Sequence, residues 1–92
     1  MVVENYRPGT MDAMGLGPEQ LERLNPRLIA IHVSGYGQHG PWSRRPLFNA
    51  IAEATSGFQS LSRSTPAPTV SGNFAIDHTA GLLAVAGALA AL

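Results

Sequence analysis

The chain has 92 residues, no cysteine, and six arginines balanced by six acidic residues, so its formal net charge is zero. Without a basic field, nothing would hold a nucleic-acid backbone through counterion release, and nucleic acid is excluded as an expected partner. The absence of cysteine excludes disulfides, thiolate catalysis and cysteine-based zinc sites, and it favours a reducing, cytoplasmic location.

The first third of the chain alternates strand and helix signals. Thr10 can cap a helical turn that Gly15 stops, and Pro18 occupies a favoured first position of a second helix. The run RLIAIHVS is apolar and of strand length, which is typical of a strand covered on both faces. The predicted elements are a strand at 1–3, a helical turn at 10–14, a helix at 18–24 and a strand at 27–34.

Two further helices are predicted after a glycine-rich loop. Apolar residues recur at helical spacing over 47–56, and Gly57 stops the pattern. A Ser/Thr/Pro-rich surface loop is expected over 60–73. Asp77 opens a last apolar helix that reaches Leu92 without a stop signal, a pattern that predicts truncation of a longer chain. This segment is shorter than a membrane span and predicts a buried helix instead.

The order of these elements predicts an α/β fold with a parallel sheet. Two strands alone cannot form a sheet that buries helices on both faces. The stretch SGYGQHG at 34–40 carries the glycine spacing of a dinucleotide-binding loop, whose third glycine opens a phosphate-binding helix. Here Gly40 precedes Pro41 and Trp42, which predict irregular chain, so we interpret the stretch as a tight turn that leaves a strand.

Four segments together resemble the class III CoA-transferases, a family that includes formyl-CoA transferases, carnitine CoA-transferases and α-methylacyl-CoA racemases. They are VVENYRPGTMDAMGLG, LNPRLI, SGYGQHGP and AIDHTAGL, at 2–17, 24–29, 34–41 and 75–82. The resemblance covers essentially the whole chain. It implies that residues 1–92 are an internal piece of a Rossmann-like large domain, incomplete at both ends, from a homodimer whose two chains interlock.

Asp77 is the candidate catalytic residue. From the residues alone, a carboxylate at a helix start serves either as an N-cap or as a group kept ionised by the helix dipole. The resemblance implies that Asp77 is a nucleophile. It would attack an acyl-CoA thioester to give an aspartyl-acyl anhydride, and CoA would then pass to a carboxylic acid. No three residues have metal-ligand spacing, so no metal is expected.

The resemblance also implies a CoA site at Asn5, Tyr6 and Arg7. An asparagine amide can bond adenine or pantetheine, a tyrosine ring can stack on adenine, and an arginine can bind phosphate. The same residues also suit a turn-forming asparagine, a half-buried tyrosine and a solvated arginine.

Two positions depart from the family pattern. Ala13 stands where formyl-CoA transferase carries a further basic CoA contact, so the phosphate contact is expected to weaken or to shift to Arg44 or Arg45. Phe48, assigned to the CoA site, occupies the position where racemases of this fold carry a proton-transferring histidine. Because phenylalanine cannot move a proton, CoA transfer is the expected function. A racemase, or a non-catalytic fragment that needs another chain, is the alternative.

Overall fold

A computed structural model describes residues 1–61, 67 and 69–92. The elements, in chain order, are strand β1 (Val2–Glu4), helix α1 (Thr10–Ala13), helix α2 (Pro18–Leu24), strand β2 (Ala30–His32), helix α3 (Asn49–Thr55), a 3₁₀ helix (Phe58–Leu61) and helix α4 (Ala75–Ala90). The predicted surface loop over 60–73 includes residues 62–66 and 68, which lie outside the described residues. Within the described residues, no helix is long and apolar enough to cross a membrane.

The two strands pair in parallel, which confirms the predicted α/β class. Their register places Val2 opposite Ala30 and Glu4 opposite His32. Strand β2 is shorter than the predicted 27–34, because its ladder extends only as far as the three-residue partner strand. The carboxyl ends of both strands therefore lie at the same edge, where ligands bind in parallel sheets.

The starts of three helices differ from those predicted. Thr10 does not cap α1, because Gly9, in the left-handed conformation, is the N-cap and Thr10 is the first helical residue. Helix α3 begins at Asn49, because Phe48 keeps an extended backbone and acts as the N-cap. Helix α4 begins at Ala75, two residues before Asp77, because the Asn73 side chain accepts a hydrogen bond from the Ala75 amide. No helix follows Gly40 directly, in agreement with the interpretation of the glycine stretch as a turn.

The prediction that the last helix is buried is wrong for this structure. Ala88 is the buried residue of α4, whereas Leu82, Val85 and Leu89 are more than half exposed. The helix contacts α3, and an apolar groove of about 530 Å³ separates it from the sheet. From residue 80 to residue 90 the helix is apolar all round, but the described residues cover only part of this surface.

Polar side chains are buried alongside a small apolar core. The buried apolar side chains of the described residues are Met11, Leu21, Ala52 and Ala88, and the buried polar ones are Glu4, Asn49 and Glu53. A buried carboxylate is costly unless hydrogen bonds satisfy it. Each of the two buried glutamates is held by such bonds, and each lies next to a segment that the sequence assigns to the site.

Candidate active site

A pocket of about 250 Å³ opens at the carboxyl ends of the two strands; we call it the strand-end pocket. Its lining includes all four residues that the sequence analysis assigns to CoA: Asn5, Tyr6, Arg7 and Phe48. The first three follow β1, whereas Phe48 caps α3 and is 74% exposed. The fold thus brings together residues that lie more than forty positions apart in the sequence.

Glu4 fixes the turn that carries three of these residues. One carboxylate oxygen, Oε2, accepts a hydrogen bond from the Tyr6 amide at 2.5 Å, and Oε1 lies 2.6 Å from His32 Nδ1. The side chain of Asn5 donates from Nδ2 to the Val33 carbonyl at 2.6 Å. The turn after β1 is therefore tied to β2 by side chains as well as by the strand ladder. Sequence analysis missed Glu4, although a glutamate that ends an apolar strand was a usable signal.

Close packing between two loops forms one wall of the pocket. A Cβ atom on Gly35 would overlap the side chain of Leu47. Because no larger side chain fits there, this position requires glycine. Leu47 and Phe48 are thereby held beside the ends of the strands. The glycine spacing that resembles a dinucleotide loop thus serves loop packing at this position.

Three arginines lie around the strand-end pocket without acidic partners. Within the described part of the chain, none of Arg7, Arg44 and Arg45 forms an ion pair. The Arg45 guanidinium lies 4.9 Å from the centre of the Trp42 ring, a cation–π distance. A shallow pocket beside it is lined by Arg7, Ala13 and Arg44. Arg44 therefore lies beside Ala13, the position where the resemblance leads us to expect a basic residue.

Asp77 lies apart from the lining of the strand-end pocket, in the first turn of α4. It is exposed, and it has no hydrogen-bond partner among the described residues. The N-cap of the helix is Phe74, and no side chain caps it from that position. The alternative role of Asp77 as an N-cap is therefore wrong, since the carboxylate stands three residues further along.

Glu53 is the second residue that sequence analysis missed. Its side chain is fully buried and accepts three hydrogen bonds from the described residues: from Ser71 N at 2.8 Å, Ser71 Oγ at 2.6 Å and Asn49 Nδ2 at 2.7 Å. The bonds from the Ser71 side chain and backbone, with a further one from Asn49, lower the pKa of Glu53 despite its burial. The spacing of four between Asn49 and Glu53 was a local signal for this pair, whereas Ser71 lies too far along the chain to suggest one.

The arrangement places a pocket bordered by arginines and an accessible carboxylate on separate elements. Within the described residues, no group of three His, Cys, Asp or Glu side chains is placed to hold a metal ion. Arginines without acidic partners suit phosphate groups, and an exposed carboxylate can act as an oxygen nucleophile.

Known proteins match this chain over essentially its whole length. The sequence model of CoA-transferase family III matches residues 1–92. Identity to succinyl-CoA–D-citramalate CoA-transferase of Chloroflexus aurantiacus is 44%, covering 100% of this chain and 23% of that protein. Identity to succinyl-CoA:glutarate CoA-transferase of Mus musculus is 38%, covering 98% and 21%. The crystal structure of Rv3272 from Mycobacterium tuberculosis superposes with a TM-score of 0.86 at 34% identity, over 97% of this chain and 26% of that one. The chain spans about a quarter of the length of these relatives.

Proposed function

Because the chain belongs to CoA-transferase family III, we propose that it supplies the CoA site and the nucleophile of an enzyme that moves CoA from an acyl-CoA to a carboxylic acid. The observation that carries this proposal is the strand-end pocket, which is lined by Asn5, Tyr6, Arg7 and Phe48. Its walls combine an amide, two aromatic rings and a cation. This is the chemistry that a nucleotide with a phosphate tail requires.

The strand-end pocket is proposed to bind CoA through distinct groups. Asn5 uses its Nδ2 to hold Val33, so its Oδ1 is the atom left to accept a hydrogen bond from the ligand. Tyr6 and Phe48 are half and three-quarters exposed, and they offer ring faces to adenine or pantetheine. Arg7, Arg44 and Arg45 would share the phosphates, with Arg44 in place of the missing basic residue at Ala13.

Asp77 is proposed to carry the acyl group and then CoA in turn. A carboxylate oxygen of Asp77 attacks the thioester carbonyl; the C–S bond breaks, CoA leaves as a thiolate, and an aspartyl-acyl anhydride forms. The thiolate attacks the aspartyl carbonyl of that anhydride, giving an aspartyl-CoA thioester and the free donor acid. The acceptor carboxylate attacks this thioester to form a second anhydride and release the thiolate. Attack of the thiolate on the acceptor carbonyl yields the new acyl-CoA and restores Asp77.

The chain is proposed to act as part of a larger catalytic unit. Residues 1–92 would form part of a Rossmann-like large domain, and the complete protein would pair with a second copy. The exposed apolar surface of α4 supports this view, because residues 80–90 are apolar on every side of the helix and such a segment is normally covered. Since the relatives from Chloroflexus aurantiacus and Mus musculus are named for succinyl-CoA, this thioester is the first donor to test.

The test is chemical trapping of the proposed covalent intermediate. The complete protein that contains residues 1–92 is purified, incubated with succinyl-CoA, treated with hydroxylamine, and analysed by intact and peptide mass spectrometry. We expect a hydroxamate on Asp77 in the wild type and none in Asp77→Ala. Asp12→Ala, which removes another exposed aspartate, is the control and should keep the adduct. Labelling of a different residue, or none with any of several acyl-CoAs, would contradict the proposal.

A racemase of the same fold is the second candidate, and the residue at position 48 separates the two. Phe48 cannot exchange a proton at the α-carbon, so a 2-methylacyl-CoA is expected to keep its α-hydrogen in deuterated water. Deuterium incorporation without CoA transfer would favour the racemase.

A further inference from the structure

Glu53 is a fully buried carboxylate that the proposed reaction does not use. It accepts its three hydrogen bonds from neutral groups: the Asn49 amide on its own helix, and the amide and hydroxyl of Ser71. Within the described residues it has no arginine or histidine partner. Ser71 is exposed and precedes α4, so the carboxylate holds a surface turn from the inside.

The hydrogen bonds continue from Glu53 to the start of α4. The Ser71 hydroxyl donates to Glu53 Oε1 at 2.6 Å, and its oxygen accepts from the Asn73 amide at 3.5 Å. Asn73 Oδ1, at 2.7 Å, is the alternative acceptor for the same hydroxyl hydrogen. Asn73 Oδ1 in turn accepts from the amide of Ala75, the first residue of α4, at 3.1 Å. Three side chains thus link the interior of α3 to the first turn of the helix that carries Asp77.

The turn held in this way has an unfavourable backbone conformation. Phe74 has a φ of 53°, and within the described residues no other residue apart from glycines has a positive φ. Side chains larger than glycine adopt this region only where the surroundings hold them there. Since Asp77 has no hydrogen-bond partner of its own among the described residues, the turn before it sets its position.

We propose that Glu53 is a positioning residue for Asp77: its buried carboxylate fixes the turn from Ser71 to Phe74 and thereby the first turn of α4. This inference rests on the proposed function for the role of Asp77. The lowered pKa of Glu53 is consistent with a carboxylate that stays charged in this place. Glu53 itself touches no substrate in this scheme, so it acts only through the backbone it holds.

The test compares three variants by the rate of Asp77 acylation at saturating acyl-CoA. Misplacement of a reacting group by about 1 Å can cost about a hundredfold in rate. We expect a loss of about a hundredfold in Glu53→Ala and about tenfold in Ser71→Ala, with the half-saturating acyl-CoA concentration unchanged within about twofold. Glu53→Gln should retain most of the rate. The buried Asn49 Oδ1, which has no partner among the described residues, can accept a hydrogen bond from the new amide once the Asn49 side chain turns.

Ser60→Ala is the matched control, because the exposed Ser60 hydroxyl donates to the nearby Gly57 carbonyl and has no other side-chain hydrogen bond to the described residues. It should leave the rate unchanged. Should Glu53→Ala fail to fold, Ser71→Ala decides the question, since it removes a hydroxyl from an exposed residue. An unchanged acylation rate in Ser71→Ala, or equal losses in rate and in acyl-CoA binding, would overturn the proposal.

A second readout separates this inference from the proposed function. Amide hydrogen exchange at residues 75–79 should become about tenfold faster in Ser71→Ala and remain unchanged in Ser60→Ala. If the wild type forms no Asp77 adduct, the proposed function fails. Faster amide exchange in Ser71→Ala would still support the inference that Glu53 stabilises the first turn of α4. Unchanged amide exchange at residues 75–79 in both Ser71→Ala and Glu53→Ala would contradict the inference directly, regardless of the acylation rates.

Discussion

Two turns of this molecule are each held by a buried glutamate, and they differ in what the glutamate binds. Glu4 holds the turn of Asn5 and Tyr6 and pairs with His32 from the neighbouring strand. Glu53 holds the turn before α4 through the neutral groups of Asn49 and Ser71. The first turn forms a wall of the strand-end pocket, whereas the second presents an exposed carboxylate. A buried glutamate thus holds the proposed binding surface in one place and the turn before the proposed nucleophile in the other.

The two turns share a physical reason for using a carboxylate. A glutamate oxygen accepts more than one hydrogen bond, and bonds to a charged acceptor are stronger than bonds between neutral groups. A loop has few backbone–backbone hydrogen bonds of its own. A buried carboxylate can therefore stabilise its conformation more strongly than a neutral side chain in the same place. Both turns contain functional candidates because loops held by a rigid scaffold are where such residues are placed.

The largest expected effect is the acid sensitivity of the Glu53 turn. The pKa of Glu53 lies below its ordinary value of 4.5, so the folded state binds this proton less readily than the unfolded state does. The stability that Glu53 contributes is therefore complete above that value, and it is lost as the pH falls through the folded pKa. Urea unfolding of the wild type between about pH 5 and pH 3 should show this loss, and Glu53→Gln should show a smaller one.

The control for this experiment is Glu22→Gln, which changes an exposed glutamate of α2. Its unfolding midpoint should follow the wild-type pH dependence. An identical pH dependence of stability in the wild type and Glu53→Gln would mean that hydrogen bonds do not hold the Glu53 carboxylate as the structure describes. The turn before α4 would then not be fixed by a buried glutamate as the turn after β1 is.

A smaller effect is expected when His32 is removed from the first turn. In His32→Ala the buried Glu4 loses the Nδ1 contact and keeps only the bond from the Tyr6 amide. We expect a loss of about 1–2 kcal/mol in the free energy of unfolding. If the strand-end pocket binds CoA, its affinity should fall several-fold, because the turn that carries Tyr6 and Arg7 is less fixed. Calorimetric titration with CoA measures the second effect.

His39→Ala is the matched control, since His39 is exposed and does not line the strand-end pocket. It should change neither stability nor CoA affinity. Equal losses in both variants would indicate a general effect of removing histidine and would break the proposed link between Glu4 and the pocket.

The smallest effect is expected at the far end of α4, beyond the turn that Glu53 holds. Gly87 lies inside this helix and is exposed, and a Cβ atom added to it would meet nothing within 4 Å. Gly87→Ala should therefore stabilise the protein by about 0.5–1 kcal/mol, because alanine loses less backbone entropy in a helix. Thermal unfolding measures the change. A destabilised variant would show that another surface packs closely against this glycine and would limit the role of the turn in holding α4.

Much of the site could be predicted from short stretches of sequence. The residues around Asn5 and Asp77 belong to contiguous motifs, and the family match over residues 1–92 confirms the resemblance they carry. The helix from Pro18 to Leu24 was predicted with the bounds that the structure shows, because proline at the first position and Asn25-Pro26 at the end are local signals. The roles of Asn5, Tyr6, Arg7, Phe48 and Asp77 stay predictions until the proposed experiments are done.

The sequence by itself determined the family, the α/β class and the candidate residues, since local propensity and contiguous motifs carry that information. Only the tertiary structure decided which residues meet: Phe48 beside Asn5, His32 beside Glu4, and Ser71 against Glu53. It also decided that α4 starts at Ala75 and leaves much of its apolar surface exposed. These outcomes depend on strand register, on hydrogen bonds between distant segments and on which segments pack against a helix, and a local sequence pattern contains none of this information.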